Sequence, residues 1–217
     1  MNRKTELLNQ LQSFKTAYET LEKNIREKRE SELYTEVGLE QETDRLLSSI
    51  SDSVQGMHDR MIETVSKGLE QLEERWRAAT VGKLTDSGYQ SGLSNAVKML
   101  ELEAVTDQKD VAHLIAAYQG DFNAMEVFRR ILLNCQNEEL RASVLKIPKD
   151  RREETRGLLA RLQERIEEYV NIHAVEEGVK GQLSGFTSVS LSVEGLIVFV
   201  RDRLGEDLEV QDWQQPQ

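Results

Sequence analysis

From Asn2 to Ala79 single apolar residues recur among charged and amide residues at helical spacing, and no proline interrupts them. Leu7, Leu11, Phe14, Tyr18, Leu21 and Ile25 advance in alternating steps of four and three, the spacing of a coiled-coil-like seam. The next positions in phase are Lys28 and Glu32, so the stripe stops there, and apolar residues resume out of phase at Leu33 and Val37. A second seam runs through Leu47, Ile50, Val54, Met57, Met61, Val65, Leu69, Leu72 and Trp76. Its four-plus-four step at Met61, Val65 and Leu69 is a stutter, which locally unwinds a supercoil.

Two shapes fit these seams. A continuous helix of about 75 residues reaches about 110 Å at 1.5 Å per residue. Alternatively Gly38 is the C′ residue of one helix and Thr43 the N-cap of the next, which makes a hairpin. Leu39-Glu40-Gln41-Glu42 are good helix formers with no proline or asparagine among them, so the turn chemistry is weak and continuity is the expectation. An isolated amphipathic helix gains most of its stability by burying its stripe. The rest of the chain is too short to cover an extended arm, so the arm is expected to pair with a second copy or with another protein. Mixed seam residues such as Phe14, Tyr18, Met57, Met61 and Trp76 suggest irregular helix packing rather than a uniform zipper.

Beyond Ala79 the texture changes. Gly82, Gly88 and Gly92 break the long pattern, and Thr85-Asp86-Ser87 offers a cap for a helix over about 89–103. Thr106-Asp107 caps a second helix through Tyr118, Gly120 ends it, and Asp121 starts a third from Phe122 to about Leu133. After a connector ending at Pro148, Asp150 caps an amphipathic helix to about His173. Glycines 178, 181 and 185 then mark a loop. Val189 to Leu204 is ambiguous: Ile197-Val198-Phe199-Val200 is strand-like, while Leu196, Val200 and Leu204 keep helical spacing ahead of Gly205; the helical reading is adopted. The tail from Glu206 is acidic and expected to fray. The expected fold is all-α: a long helical arm over 1–80, a small helical bundle over 81–147, and a C-terminal helical segment with a flexible acidic tail over 148–217.

Composition narrows the function. Hydrophobic residues make up 38%, aromatics 6% and charged residues 31% of the 217, with a formal net charge of −11. Such a field repels phosphate backbones and anionic membranes, so neither nucleic acid nor membrane is an expected partner. The single cysteine, Cys135, excludes an intramolecular disulfide framework, and its neighbours Ile131, Leu132 and Leu133 suggest a buried thiol in a cytoplasmic setting. The longest apolar run, Leu196 to Val200, is far below the roughly 20 residues of a membrane span.

Candidate chemistry is thin. His58, His113 and His173 are far apart and none forms an i, i+4 pair with another ligand in the manner of a zinc helix, so no metal or cofactor is expected. The glycine-rich run Gly178 to Gly185 lacks the Gly-Lys-Ser/Thr ending of a phosphate-binding loop, and in Gly88-Tyr89-Gln90-Ser91-Gly92 the serine stands one place late for a nucleophile elbow. Basic residues from Lys149 to Arg156 alternate with acidic ones as in a solvated ion-pair face. No catalytic set and no small-molecule substrate emerge.

The runs YQSGLSNAVKMLELEA and DVAHLIAAYQGDFNAMEVFRRILLN, the second with a helix–helix joint at Gly120-Asp121-Phe122, resemble small helical structural or head-morphogenesis proteins of tailed bacteriophages and prophages. That resemblance covers about a fifth of the chain. It implies a scaffold-like or virion-associated assembly protein that oligomerises or contacts a capsid or portal protein. The alternative is a cellular cytosolic coiled-coil adaptor or regulator.

Overall fold

The computed structural model describes residues 2–31, 33–105, 107–180 and 188–211. The described residues are mainly helical: α1 (Arg3–Glu30), α2 (Glu36–Thr85), α3 (Ser87–Glu101), α4 (Gln108–Tyr118), α5 (Phe122–Asn134), α6 (Glu138–Ala142), a 3-10 turn (Ser143–Lys146), α7 (Arg152–Tyr169), α8 (Ile172–Val179) and α9 (Val189–Arg203). They form two compact units. The first combines residues 1–72 with 152–217, and the second spans 73–151. This differs from the expected succession of three parts, because the C-terminal segment folds with the N-terminal arm.

The arm is a hairpin, not one helix. α1 ends at Glu30 and α2 starts at Glu36, so the break is neither at Gly38 nor at Thr43. Ser31 closes α1 by donating its hydroxyl to Lys28 O, and Thr35 opens α2 by accepting from Gly38 N through Oγ1 and from Leu39 N through its carbonyl. Gly38 lies in the first turn of α2, and Thr43 is a buried helical residue whose hydroxyl donates to Leu39 O. The physical reason lies in the seam: where Lys28 and Glu32 interrupt it, continuing the helix buries nothing, whereas turning back buries each stripe on the other. Lys28 then spans the turn to Glu42, at 3.0 Å, and to the Tyr34 hydroxyl. Gln10 with Thr64 and Arg3 with Gln71 fix the antiparallel register further along.

In the first unit α9 packs antiparallel on α1: Lys4 donates to Arg201 O, Lys15 pairs with Glu194, and the Ser190 hydroxyl donates to Glu19. α7 packs on α9, with Glu154 facing Arg203, and Gln163 of α7 donates to Ser66 of α2. α1 packs on α9 and α9 on α7, while side-chain hydrogen bonds tie α2 to α1 and to α7, so these helices lie side by side as a bundle. The expected helix from Asp150 to His173 is two helices. Asn171 divides them, its amide donating back to Glu167 O and Glu168 O while its Oδ1 accepts from Ala174 N to cap α8. α8 closes on α1 so tightly that a Cβ at Gly178 would lie 2.5 Å from Tyr18 Oη. The other two glycines of the expected loop, 181 and 185, lie outside the described residues.

The start of the tail is ordered, contrary to the expectation of fraying. Leu204 leaves α9 in extended conformation and pairs with Val210, and Leu208 is fully buried. Leu208 holds φ at 68°, which costs a side-chain-bearing residue roughly 1–2 kcal/mol. Full burial of its side chain, worth about 1.5–3 kcal/mol, offsets that. Val210 N donates to the buried Thr155 hydroxyl, and Lys4 N donates to Glu206 O.

The second unit is built on the caps read from the sequence. Asp86, Asp107 and Asp121 each accept from the first turn of α3, α4 and α5 respectively. Val111, Ile115, Met125, Phe128, Leu132 and Leu140 form its core together with Cys135, whose thiol burial holds its pKa above the ordinary value, with Glu103 adding to the effect. Tyr118 bridges Tyr89 and Phe128 edge-on, and Gly92 admits its hydroxyl, which would lie 3.0 Å from a Cβ there.

Candidate functional site

The seam residues lie inside the chain. Leu7, Leu11, Phe14, Tyr18, Leu21 and Ile25 are all buried, as are Leu47, Val54, Met57, Met61, Val65 and Leu72. Trp76 is buried too and belongs to the second unit. Two positions depart from the expected register. Ile50 is half-buried, and at the stutter Gly68 faces inward while Leu69 is only half-buried. Gly68 is the inner position because Leu208 occupies the space beside it: a Cβ there would lie 2.8 Å from Leu208 Cδ1. A single copy therefore covers its own stripe, and the arm does not need another chain to bury it. Burial also tunes the seam: it pushes Tyr18 up to about 12, with Glu22 adding to the shift. At the turn, hydrogen bonds from Arg45 and then Lys28 hold Glu42 down to about 2.

With the seams covered, the exposed apolar surface of the first unit lies elsewhere. α9 is apolar on nearly every side. Val189, Val193, Leu196, Ile197 and Val200 are buried, yet Leu191 is 64% and Val198 37% exposed, with exposed Gly195 between them. A helix apolar all round is normally covered all round, so this face stands out. Beside it runs a groove of about 410 Å³ between α7 and α9. Leu162 and Leu196 form its floor, Leu158 and Phe199 its half-buried walls, and Tyr169 closes one end.

Arg161 and Arg165 stand on the α7 rim, one helical turn apart and both exposed. Arg165 is engaged: Nη1 donates to Glu168 at 2.8 Å and to Tyr169 Oη at 2.9 Å, and Tyr169 followed by Glu168 raises its pKa. Arg161 makes no hydrogen bond or ion pair among the described residues.

A larger groove of about 830 Å³ lies between α1 and α2, and part of its polar lining is already engaged. The hydroxyls of Ser13, Thr16 and Thr20 each donate to a carbonyl one turn back in α1, so their hydrogen bonds are already made within the helix. A second apolar cluster, Leu33, Tyr34 and Val37, is exposed at the hairpin tip. His58 pairs with Asp59 and His173 with Glu177, while His113 lines a recess of about 350 Å³ with Asp110 in the second unit. Among the described residues no three histidine, cysteine or acidic side chains gather as metal ligands, and no helix is long and apolar enough to cross a membrane.

The α9 face lies outside the seams expected from the sequence. Its signal was present in the same ambiguity noted for Val189 to Leu204: a run too evenly apolar for a helix with one wet side. No protein-family model, curated protein or solved structure matches the chain.

Proposed function

We propose that this protein works by protein–protein contact, as a structural or assembly factor and not as a catalyst. The observation carrying this reading is the solvated apolar face of α9, with Leu191, Gly195 and Val198 in line beside an apolar groove. Contiguous exposed apolar surface on a folded helical unit marks a contact site. The bundle supplies a rigid platform for it, since the seams are buried within the chain.

The setting proposed is the head-assembly apparatus of a tailed phage or prophage, with a capsid or portal protein as partner. The support is the likeness carried by the runs around Gly120-Asp121-Phe122. A photo-crosslinking amino acid at Val198, used in the native host during particle assembly, tests both levels. Crosslinks to a capsid or portal component are expected. Absence of any protein crosslink from Val198 contradicts the contact role, and crosslinks to host proteins alone move the protein to the cellular-adaptor alternative.

A further inference from the structure

We infer that the α7–α9 groove seats an acidic amphipathic helix contributed by a different protein, an inference that rests on the contact role proposed above. Three features specify this occupant. The groove runs from Leu158 to Tyr169, 11 residues and thus about 16 Å along α7, which matches about three turns of a partner helix. Its apolar floor suits the i, i+3 or i+4, i+7 anchors of a helix laid into a groove.

Gly195 sits at the centre of the α9 wall, and a Cβ built there meets nothing within 4 Å. The glycine leaves room for a partner backbone to approach, and Leu191 and Val198 extend the apolar contact to either side.

Charge decides the chemistry of the flanks. The rim offers two guanidinium groups, and Arg161 has no partner among the described residues of a chain that carries 39 acidic side chains to 28 basic ones. Arginine recognises carboxylates through a planar fork of donors, so aspartate or glutamate beside the anchors fits Arg161 and shares Arg165 with Glu168. The ion pair of Glu154 with Arg203 lies one turn before Leu158 on α7 and bounds that end.

The test uses the full chain as bait for a displayed library of randomised helical peptides of about 14 residues. Enriched peptides are expected to carry large apolar residues at i, i+3 or i+4, and i+7, with acidic residues on the flanks. Their affinity should fall about tenfold or more in Arg161→Glu and in Gly195→Leu, and should weaken as salt is raised. Melting temperatures no lower than that of the wild type, with monomeric mass, show that the variants are folded; Gly195→Ala, with its smaller side chain, serves if Gly195→Leu does not fold.

Enriched peptides with basic flanks, or that bind the Gly195 variant as well as wild type, overturn the inference, as does the lack of any enrichment. A dimeric wild type that becomes monomeric in the Gly195 variant overturns it in favour of a second copy. Binding that depends on Gly195 without acidic preference removes the inferred partner chemistry and leaves the contact role standing; that role fails separately, in the Val198 crosslinking experiment.

Discussion

The packing of Leu208 against Gly68 is testable by a double-mutant cycle. Leu208 is fully buried, so Leu208→Ala leaves a cavity and should cost about 2–5 kcal/mol, with 3 a central value. Gly68→Ala has two opposed effects. Alanine in a helix interior is about 1 kcal/mol better than glycine. Its Cβ, however, would lie 2.8 Å from Leu208 Cδ1, and an enclosed leucine has little room to retreat, so overpacking costs about 1–3 kcal/mol. The net expected in the wild-type background is a destabilisation of about 1 kcal/mol. Once Leu208 is alanine the obstructing methyl is gone, and Gly68→Ala should stabilise by up to about 1 kcal/mol. The sign of the Gly68 effect therefore reverses, a coupling of about 2 kcal/mol, within the range for residues in contact. Urea unfolding of the four proteins, followed by circular dichroism, measures it. Additive effects, or a Gly68→Ala that stabilises equally in both backgrounds, refute the reasoning and with it the docking of the tail on the arm.

Three further outcomes are expected. Gly178→Ala should destabilise by about 1–3 kcal/mol because its Cβ meets the buried Tyr18 ring, and Tyr18→Phe should restore part of the loss by removing the closest atom; urea melts of the single and double variants check this. Gly157→Ala, in α7 with open space around it, should raise stability by about 0.5–1 kcal/mol in the same assay. In alkali, Tyr18 is pushed up to about 12 by burial, so between about 10 and 12 the unfolded chain loses a proton that the folded chain keeps. Stability is full below that window and falls through it by at most about 1.4 kcal/mol per pH unit, and Tyr18→Phe should flatten this limb.

Much of the architecture was readable in the residues, for a definite reason. Helix starts are local chemistry, and Asp86, Asp107 and Asp121 cap their helices as their side chains dictate. The seam of α1 was equally legible because its period matches the turn of the helix over six positions. Three features depended on distant packing and were not legible. The direction of α2 relative to α1 follows from mutual burial; Ser31 and Thr35 cap the break, but a serine and a threonine among good helix formers do not by themselves announce a reversal. Gly68 outcompetes Leu69 for the inner position only because Leu208, 140 residues later, sits beside it. The expectation that the arm needed a partner rested on counting an extended stripe; α7, α8 and α9 return to cover the hairpin instead. For the contact face the apolar excess of α9 was visible, but which side stays wet is settled by its neighbours.

The central claim is that the N-terminal arm folds back and buries both seams within one chain. Spin labels at Gln12 and Glu63, both exposed, with Cys135 replaced by serine, test it most directly by pulsed dipolar spectroscopy in dilute solution. The hairpin predicts a short distance, the roughly 10 Å between packed helix axes plus the reach of the labels. A continuous helix separates the two sites by 51 residues, or about 76 Å. A distribution centred there would contradict the account.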